Sequence, residues 1–372
     1  MTTPSPAESA LPSEWLPILA MLREAAPGVL LVLGAPDRGK TGFVIAAARL
    51  LAVDAAPVAI IDCDVSAGDL GPPGAVTVAL ASTETVRLRD LSPGAAFFAG
   101  AREAVEAPLE YVAATARALT WARAAGARQI LIDTPGFGAG AAARRTIAAL
   151  YAVAAPTTVV VMESPEGGLG RIVRRLGATQ VFEIYDEVGH PKSPAQRELL
   201  QRTRLGRIFD GGSERRFPLM FASEKGIETL GTHLGSGEAI PPHLVRWICA
   251  TLKLPVVHAE IAGDQILAFV DADAPLRASW ADGAGIVAEH FGARSVRGFA
   301  LGSRIGSYLG LNDCDGHLAA VGRFEGFVPE TGEVRLWTAF SGAADRIRSV
   351  AFGRFRVGRD GTEMRERQSC GW

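Results

Sequence analysis

The segment Gly34-Ala35-Pro36-Asp37-Arg38-Gly39-Lys40-Thr41 constrains this chain more than any other, because the apolar run Val29-Leu30-Leu31-Val32-Leu33 leads directly into it. A buried strand ending in G-x-x-x-x-G-K-[ST] and opening into a helix commits the chain to an α/β layered fold with a phosphate-binding loop. Glycines let the backbone of residues 34–42, Gly42 included, curl so that several N–H groups converge on one phosphate. Lys40 supplies a point charge for the outer phosphates and Thr41 a hydroxyl for Mg²⁺. The helix predicted over residues 43–51 turns its positive end to the same anion. Lysine occurs only four times in the chain (Lys40, Lys192, Lys225, Lys253), so composition alone does not account for its presence in this slot.

From that loop onward, apolar strands alternate with helical stretches, the pattern of a parallel sheet with crossover helices. Strands are predicted over residues 29–33, 58–63, 96–98, 129–133 and 157–162, and long helices over 109–124 and 142–152. A short helix over 14–25 precedes them, after a Pro/Ser/Thr-rich start whose composition predicts disorder up to about residue 10. Near residue 215 the texture changes. Short alternating segments such as Gln265-Ile266-Leu267-Ala268-Phe269-Val270 and Val334-Arg335-Leu336-Trp337, with another over 318–324, are separated by the turn pairs Asp315-Gly316, Thr331-Gly332 and Asp360-Gly361. The expected organisation is a tail and short helix (1–27), a P-loop α/β domain (28–215), and a bridging helix over 242–252 with a smaller β-rich domain (216–372).

A chain of 372 residues, 48% hydrophobic and 21% charged, is long enough for two cores and has ordinary soluble composition. Its net charge of −2 excludes a global field for nucleic acid, so any such contact must be a local patch. The four cysteines (Cys63, Cys249, Cys314, Cys370) lie far apart without C-x-x-C pairing, which argues against a zinc site and fits a reducing compartment. No basic-then-apolar leader and no bilayer-length apolar run is present, so the expected setting is the cytoplasm, without a membrane partner.

Three further segments carry chemistry. The second strand ends in Asp62-Cys63-Asp64, where carboxylates beside a phosphate-loop strand can reach Mg²⁺ or a nucleophile's proton; an Asp that merely caps the next element fits the same residues. The fourth runs into Asp133-Thr134-Pro135-Gly136-Phe137-Gly138-Ala139-Gly140, so that Asp133 stands where a carboxylate holds the metal's water shell in phosphoryl-transfer sites; a plain glycine turn is the alternative. The segment 192–207 reads as a basic helix opened by Ser193-Pro194, with Arg197 and Arg204 spanning two turns and Arg202 projecting from a neighbouring face. Such a helix can close over phosphates as a lid or simply present a solvated face.

Taken in order, these segments resemble the polynucleotide 5′-hydroxyl kinase family, in its short microbial form. The resemblance rests on Gly34-Ala35-Pro36-Asp37-Arg38-Gly39-Lys40-Thr41; on Asp62, Asp64, Gly71, Pro72, Pro73 and Gly74; on Phe97-Phe98-Ala99-Gly100; on the 133–140 "clasp"; and on Ser193, Arg197 and Arg202. Weaker echoes occur at Tyr308-Leu309-Gly310-Leu311-Asn312-Asp313 and Phe352-Gly353-Arg354-Phe355-Arg356, so that it covers residues 28 to about 360. It implies that Lys40 and the loop hold ATP, that Thr41, Asp62 and Asp64 serve Mg²⁺, and that Asp64 orients or deprotonates the 5′-hydroxyl of RNA or DNA. It further implies that Asp133, Thr134, Gly136 and Phe137 clasp the substrate end, with Phe137 stacking on it, and that Arg197 and Arg202 neutralise the transferring phosphoryl group.

Two departures stand out. Ser66-Ala67 replaces the family's Gly-Gln, and Phe137 replaces the tryptophan of many members. The first keeps open a second reading, an ATP-binding module that supports a nucleic-acid-processing assembly without transferring phosphate. A GTPase would need an N-K-x-D element, and the chain has none. The residues do not indicate a protein partner.

Overall fold

The computed structural model describes residues 11–54, 57–66, 68–138, 140–185, 192–218, 227–229, 232–234, 238–272, 281–328 and 333–364. The chain divides into two compact units, Met1–Leu200 and Gln201–Trp372. The Pro/Ser/Thr-rich start, Ala67, Ala139 and the Thr331-Gly332 pair lie outside the described residues.

In the first unit, α1 (Leu16–Glu24) precedes β1 (Val29–Gly34), α2 (Lys40–Leu51), β2 (Val58–Asp62), β3 (Ala75–Ala81) and β4 (Ala95–Phe98). Then come α3 (Pro108–Ala124), β5 (Gln129–Asp133), α4 (Ala141–Ala154), β6 (Thr158–Met162), α5 (Leu169–Arg175) and β7 (Val181–Ile184). The helix α6 (Pro194–Phe209) begins in this unit. The strands form one sheet in the order β4-β3-β2-β5-β1-β6-β7. All are parallel except β3, which runs against both of its neighbours.

Every residue of β1, β2 and β6 is buried, because helices cover both faces of the sheet. Alternation along each strand divides the core in two. Leu31 and Leu33 of β1, Ile61 of β2 and Ile132 of β5 join the cluster under α3 and α4. Leu30 and Val32 of β1, Ile60 of β2 and Leu131 of β5 pack against α1 and α2. Each such side chain contributes about 1.5–3 kcal/mol on removal from water, which makes the sheet a rigid mount for its loops.

The strands expected at 29–33, 58–63, 96–98, 129–133 and 157–162 form within a residue of those bounds. The helix after the phosphate loop begins at Lys40 rather than Phe43, since Lys40 and Thr41 themselves form its first turn. β3 and β7 escaped the sequence reading. β3 returns antiparallel after the Pro72-Pro73-Gly74 turn, where a search for parallel βαβ units misses it. β7 is a short edge strand with three half-buried residues before the buried Ile184, too weakly patterned to stand out.

The second unit is β-rich. One sheet includes Ser213–Pro218, Glu333–Thr338, Leu318–Val328, Ser307–Asn312 and Ser349–Val357, paired antiparallel in that order. A second, four-stranded sheet contains Val256–Ala262, Gln265–Val270 and Ser295–Ala300, and the helix Pro242–Leu252 packs on it through Val245, Ile248 and Leu252. That helix has the bounds read from the sequence and lies within this unit. No helix among the described residues is long and apolar enough to cross a membrane.

Candidate active site

The C-terminal ends of β1, β5 and β2 lie side by side, with Val32 beside Asp133 and Asp133 beside Asp62. That edge, where a parallel sheet opens its loops, gathers the residues singled out above.

The loop after β1 turns through two left-handed residues, Asp37 at φ 59° and Gly39 at φ 80°. Glycine tolerates that conformation freely and aspartate is among the few other residues that adopt it. Gly39 caps α2, and the first turn of α2 presents its unpaired N–H groups to the loop. The ammonium of Lys40 is buried and donates to the carbonyl of Ala35 at 2.8 Å, folded back across its own loop. Burial lowers its pKa, and the carboxylates of Asp133, Asp64 and Asp37 partly oppose that shift.

Thr41 donates its hydroxyl to Asp133 Oδ2 at 2.5 Å, joining the start of α2 to the end of β5. Asp133 is fully buried, and desolvation pushes its carboxyl up to about 7; the Thr41 hydrogen bond and Lys40 oppose the rise, and Asp64 adds to it. Its other oxygen, Oδ1, is buried without a hydrogen-bond partner. A buried carboxylate oxygen left unpaired beside a phosphate-loop hydroxyl suits a hydrated Mg²⁺, so these donors fit the ion.

Asp62 has a different employment. Its Oδ1 accepts the N–H of Asp64 and its Oδ2 the N–H of Leu70, each at 3.0 Å. Both oxygens therefore organise the loop that follows β2. Burial, with Asp133 and Asp64 nearby, raises its pKa well above the usual carboxylate range. Asp64, at the start of that loop, is half-buried and accepts from Ser66 twice, from the hydroxyl at 2.6 Å and from the N–H at 3.1 Å.

The clasp residues point inward. Thr134 donates its hydroxyl to the carbonyl of Val32 at 2.7 Å, and the N–H of Phe137 donates to the carbonyl of Gly34 at 3.1 Å. A Cβ at Gly136 would come within 2.5 Å of Pro36 Cγ and 2.7 Å of its backbone, so only glycine allows the two loops to touch. The Phe137 ring is 4% exposed and belongs to the core cluster under α3 and α4. A ring so placed packs; it does not face solvent.

The two lid arginines have different partners. Arg197 donates to Asp37 Oδ2 at 2.7 Å, on the phosphate loop itself. Arg202 pairs with Asp360 at 3.2 Å, both side chains being more than half exposed. Lys192 also donates to Asp37, from its N–H and its ammonium at 3.0 Å each. That carboxyl is held down at about 2: the Lys192 and Arg197 hydrogen bonds outweigh the opposing effect of burial.

Sequence reading overlooked three of these roles: the grip of Lys192, the Ser66 hydroxyl on Asp64, and Glu163. Glu163, just beyond β6, accepts the N–H groups of Leu169 and Gly170 at 3.0 and 3.1 Å and so caps α5. Lysine scarcity was the available signal for the first; the others depend on how loops fold back.

Comparison with known proteins agrees with this geometry. Residues 34–211 match the family described as mRNA cleavage and polyadenylation factor CLP1 P-loop. A polyribonucleotide 5′-hydroxyl-kinase of Pyrococcus furiosus is 25% identical over 340 residues, covering 91% of this chain and 90% of that protein. One from Pyrococcus horikoshii is 25% identical over 342 residues, covering 91% and 88%. Among solved structures, Clp1p in complex with Pcf11p aligns over 92% of this chain and 78% of its own, at 12% identity and a TM-score of 0.52, a likeness of fold. Residues 34–211 thus resemble the CLP1 P-loop family, and along nine-tenths of its length the chain is similar to the archaeal polyribonucleotide 5′-hydroxyl-kinases.

Proposed function

We propose that this protein transfers the γ-phosphate of ATP to the 5′-hydroxyl of a polynucleotide. The observation that carries the reading is the junction of Thr41 with Asp133 at 2.5 Å, beside Lys40 and the Asp64 loop, on the edge of the sheet where phosphate is bound. The names of the archaeal relatives support RNA as the acceptor. ATP is the nucleotide favoured by the family match, and the donor set of Thr41 and Asp133 supports Mg²⁺.

The chain's residues have the following roles in this reading. The backbone of residues 34–42 cradles the phosphates, and Lys40 leaves the Ala35 carbonyl to pair with them. Thr41 and Asp133 would hold Mg²⁺, which would neutralise phosphate charge. Asp64, steadied by Ser66, accepts the proton of the attacking hydroxyl or aims that hydroxyl at phosphorus. Arg197 faces the charge that spreads over the transferring group, whereas Arg202, expected to share that task, pairs with Asp360. Asp62 shapes the Asp64 loop, and its two backbone hydrogen bonds support that role over direct metal ligation. Thr134, Gly136 and Phe137 brace the clasp against β1 and Pro36; the burial of Phe137 supports packing over base stacking. The thiols of Cys63 and Cys249, which form no disulfide, fit a cytoplasmic setting.

Transfer of γ-phosphate from ATP–Mg²⁺ to 5′-hydroxyl RNA and DNA oligonucleotides tests the proposal, with Lys40→Ala and Asp64→Asn as controls. Transfer lost in both variants supports the kinase. Lys40-dependent ATP binding without transfer to any acceptor would replace it with the ATP-binding scaffold that Ser66-Ala67 keeps in view.

A further inference from the structure

One carboxylate on the phosphate loop collects three donors from the segment that opens α6. Asp37 accepts the Lys192 N–H, the Lys192 ammonium and the Arg197 guanidinium at 3.0, 3.0 and 2.7 Å. The Lys192 and Arg197 side chains are 52% and 50% exposed, whereas that of Asp37 is only 13% exposed. Two solvated cations thus reach down to a sheltered acid. That arrangement differs from a surface pair between mobile side chains, whose contribution is small.

The groups around this contact are themselves held. The left-handed backbone of Asp37 sets the direction of its carboxylate. On the other side, Ser193 and Gln196 bond reciprocally: the Ser193 N–H donates to Gln196 Oε1 at 2.8 Å and the Gln196 N–H to Ser193 Oγ at 3.2 Å. This is a capping box, and it fixes the first turn of α6 relative to Lys192. Arg197 lies one turn further on, and its N–H donates to the Ser193 carbonyl at 3.1 Å. The α6 N-terminus therefore meets the phosphate loop as a preformed piece.

We propose that Asp37 and Lys192 are positioning residues that dock the start of α6 on the phosphate loop, so that Arg197 is delivered to the terminal phosphate of bound nucleoside triphosphate. The inference rests on the kinase reading and deepens it. Lys192 keeps two bonds to Asp37, through its backbone and its ammonium, and these hold the helix while the single Arg197 contact is exchanged for phosphate. Aspartate suits the position twice, by tolerating φ 59° and by carrying the charge that both cations need. Asparagine preserves the first property and removes the second, which makes Asp37→Asn a selective probe.

The experiment compares wild type with Asp37→Asn, Lys192→Ala, their double variant and Lys192→Arg, measuring kcat, the KM for ATP, and hydrogen exchange of the first turn of α6 without nucleotide. Docking predicts that each single change lowers kcat by about tenfold or more, as expected when a reacting geometry is loosened, while the KM for ATP moves less than about threefold. The double variant should be no slower than the worse single one, Lys192→Arg should recover most of the rate, and exchange in the first turn of α6 should quicken in Asp37→Asn and Lys192→Ala. Unchanged exchange in both variants overturns the docking, as does full kcat in both. Loss of ATP binding in Asp37→Asn also overturns it, by assigning Asp37 to the loop alone. If the wild type transfers phosphate to no acceptor, the kinase reading fails, and hydrogen exchange still decides whether Asp37 and Lys192 dock α6.

Discussion

Thr41 and Asp133 stand 92 residues apart in the chain, yet the hydroxyl of one lies 2.5 Å from the carboxylate of the other, whose second oxygen is buried and unpaired. The contact ties the phosphate loop to the neighbouring strand. It also leaves a buried acidic oxygen unpaired, a donor of the kind that suits the water shell of a divalent ion.

Removing either partner should disable the site selectively. Thr41→Ala and Asp133→Asn are expected to lower kcat for phosphate transfer by about 10²–10³-fold, the scale set by losing one preorganised electrostatic group. Thr41→Ser should keep most activity because it keeps the hydroxyl. Titration calorimetry checks the cause: Mg²⁺ should strengthen ATP binding in the wild type and in Thr41→Ser, and much less in Asp133→Asn.

The raised carboxyl of Asp133 predicts a pH dependence of stability with a definite sign. A folded-state pKa of about 7, above the ordinary 3.8, means that the native state holds this proton more tightly than the unfolded chain. The stabilising contribution is fully present below 3.8 and is lost as pH rises through about 7. Without nucleotide or metal, the melting temperature should therefore fall between pH 5 and pH 8. Asp133→Asn should flatten that slope, and so should saturating Mg²⁺–ATP. An equally steep decline in Asp133→Asn would refute the assignment.

Asp62 and Asp64 should separate cleanly when each is altered. Asp62→Ala strips the acceptor from two backbone N–H groups, at about 1–3 kcal/mol each where they stay buried, so it should lower thermal stability as well as activity. Asp64→Asn should abolish transfer with little change in melting temperature. Ser66→Ala, which removes the 2.6 Å hydrogen bond to Asp64, should slow kcat severalfold and be rescued in part by Ser66→Thr. Differential scanning fluorimetry beside steady-state kinetics distinguishes the three.

Gly136 offers a test of the contact between clasp and phosphate loop. A Cβ there would press on Pro36 at 2.5–2.7 Å, so Gly136→Ala must push the two loops apart. The expected cost is about 1–3 kcal/mol of stability, the range for inserting a methyl group into packed surroundings, with weakened ATP binding. Gly138, whose added Cβ would meet nothing within 4 Å, supplies the control: Gly138→Ala should bind ATP normally.

Much of this protein is legible along its length. The run Val29–Gly34 followed by Lys40 and Thr41 identifies a buried strand, a phosphate loop and a helix start, because each depends on residues adjacent in sequence. The strand Gln129–Asp133 and the helix Pro242–Leu252 were equally readable, since apolar periodicity and flanking breakers act over one or two turns. The tertiary structure decided what each carboxylate does. Asp62 and Asp64 lie two residues apart and read alike, yet a loop folding back through Leu70 engages one of them on both oxygens. Phe137 sits in a motif that suggested an exposed platform, and the packing of α3 and α4 on the sheet encloses its ring. Asp37 and Lys192 meet across 155 residues, a pairing that no local pattern records. Local sequence specifies backbone conformation and periodicity, whereas burial and hydrogen-bond partners arise only when distant segments compete for the same space.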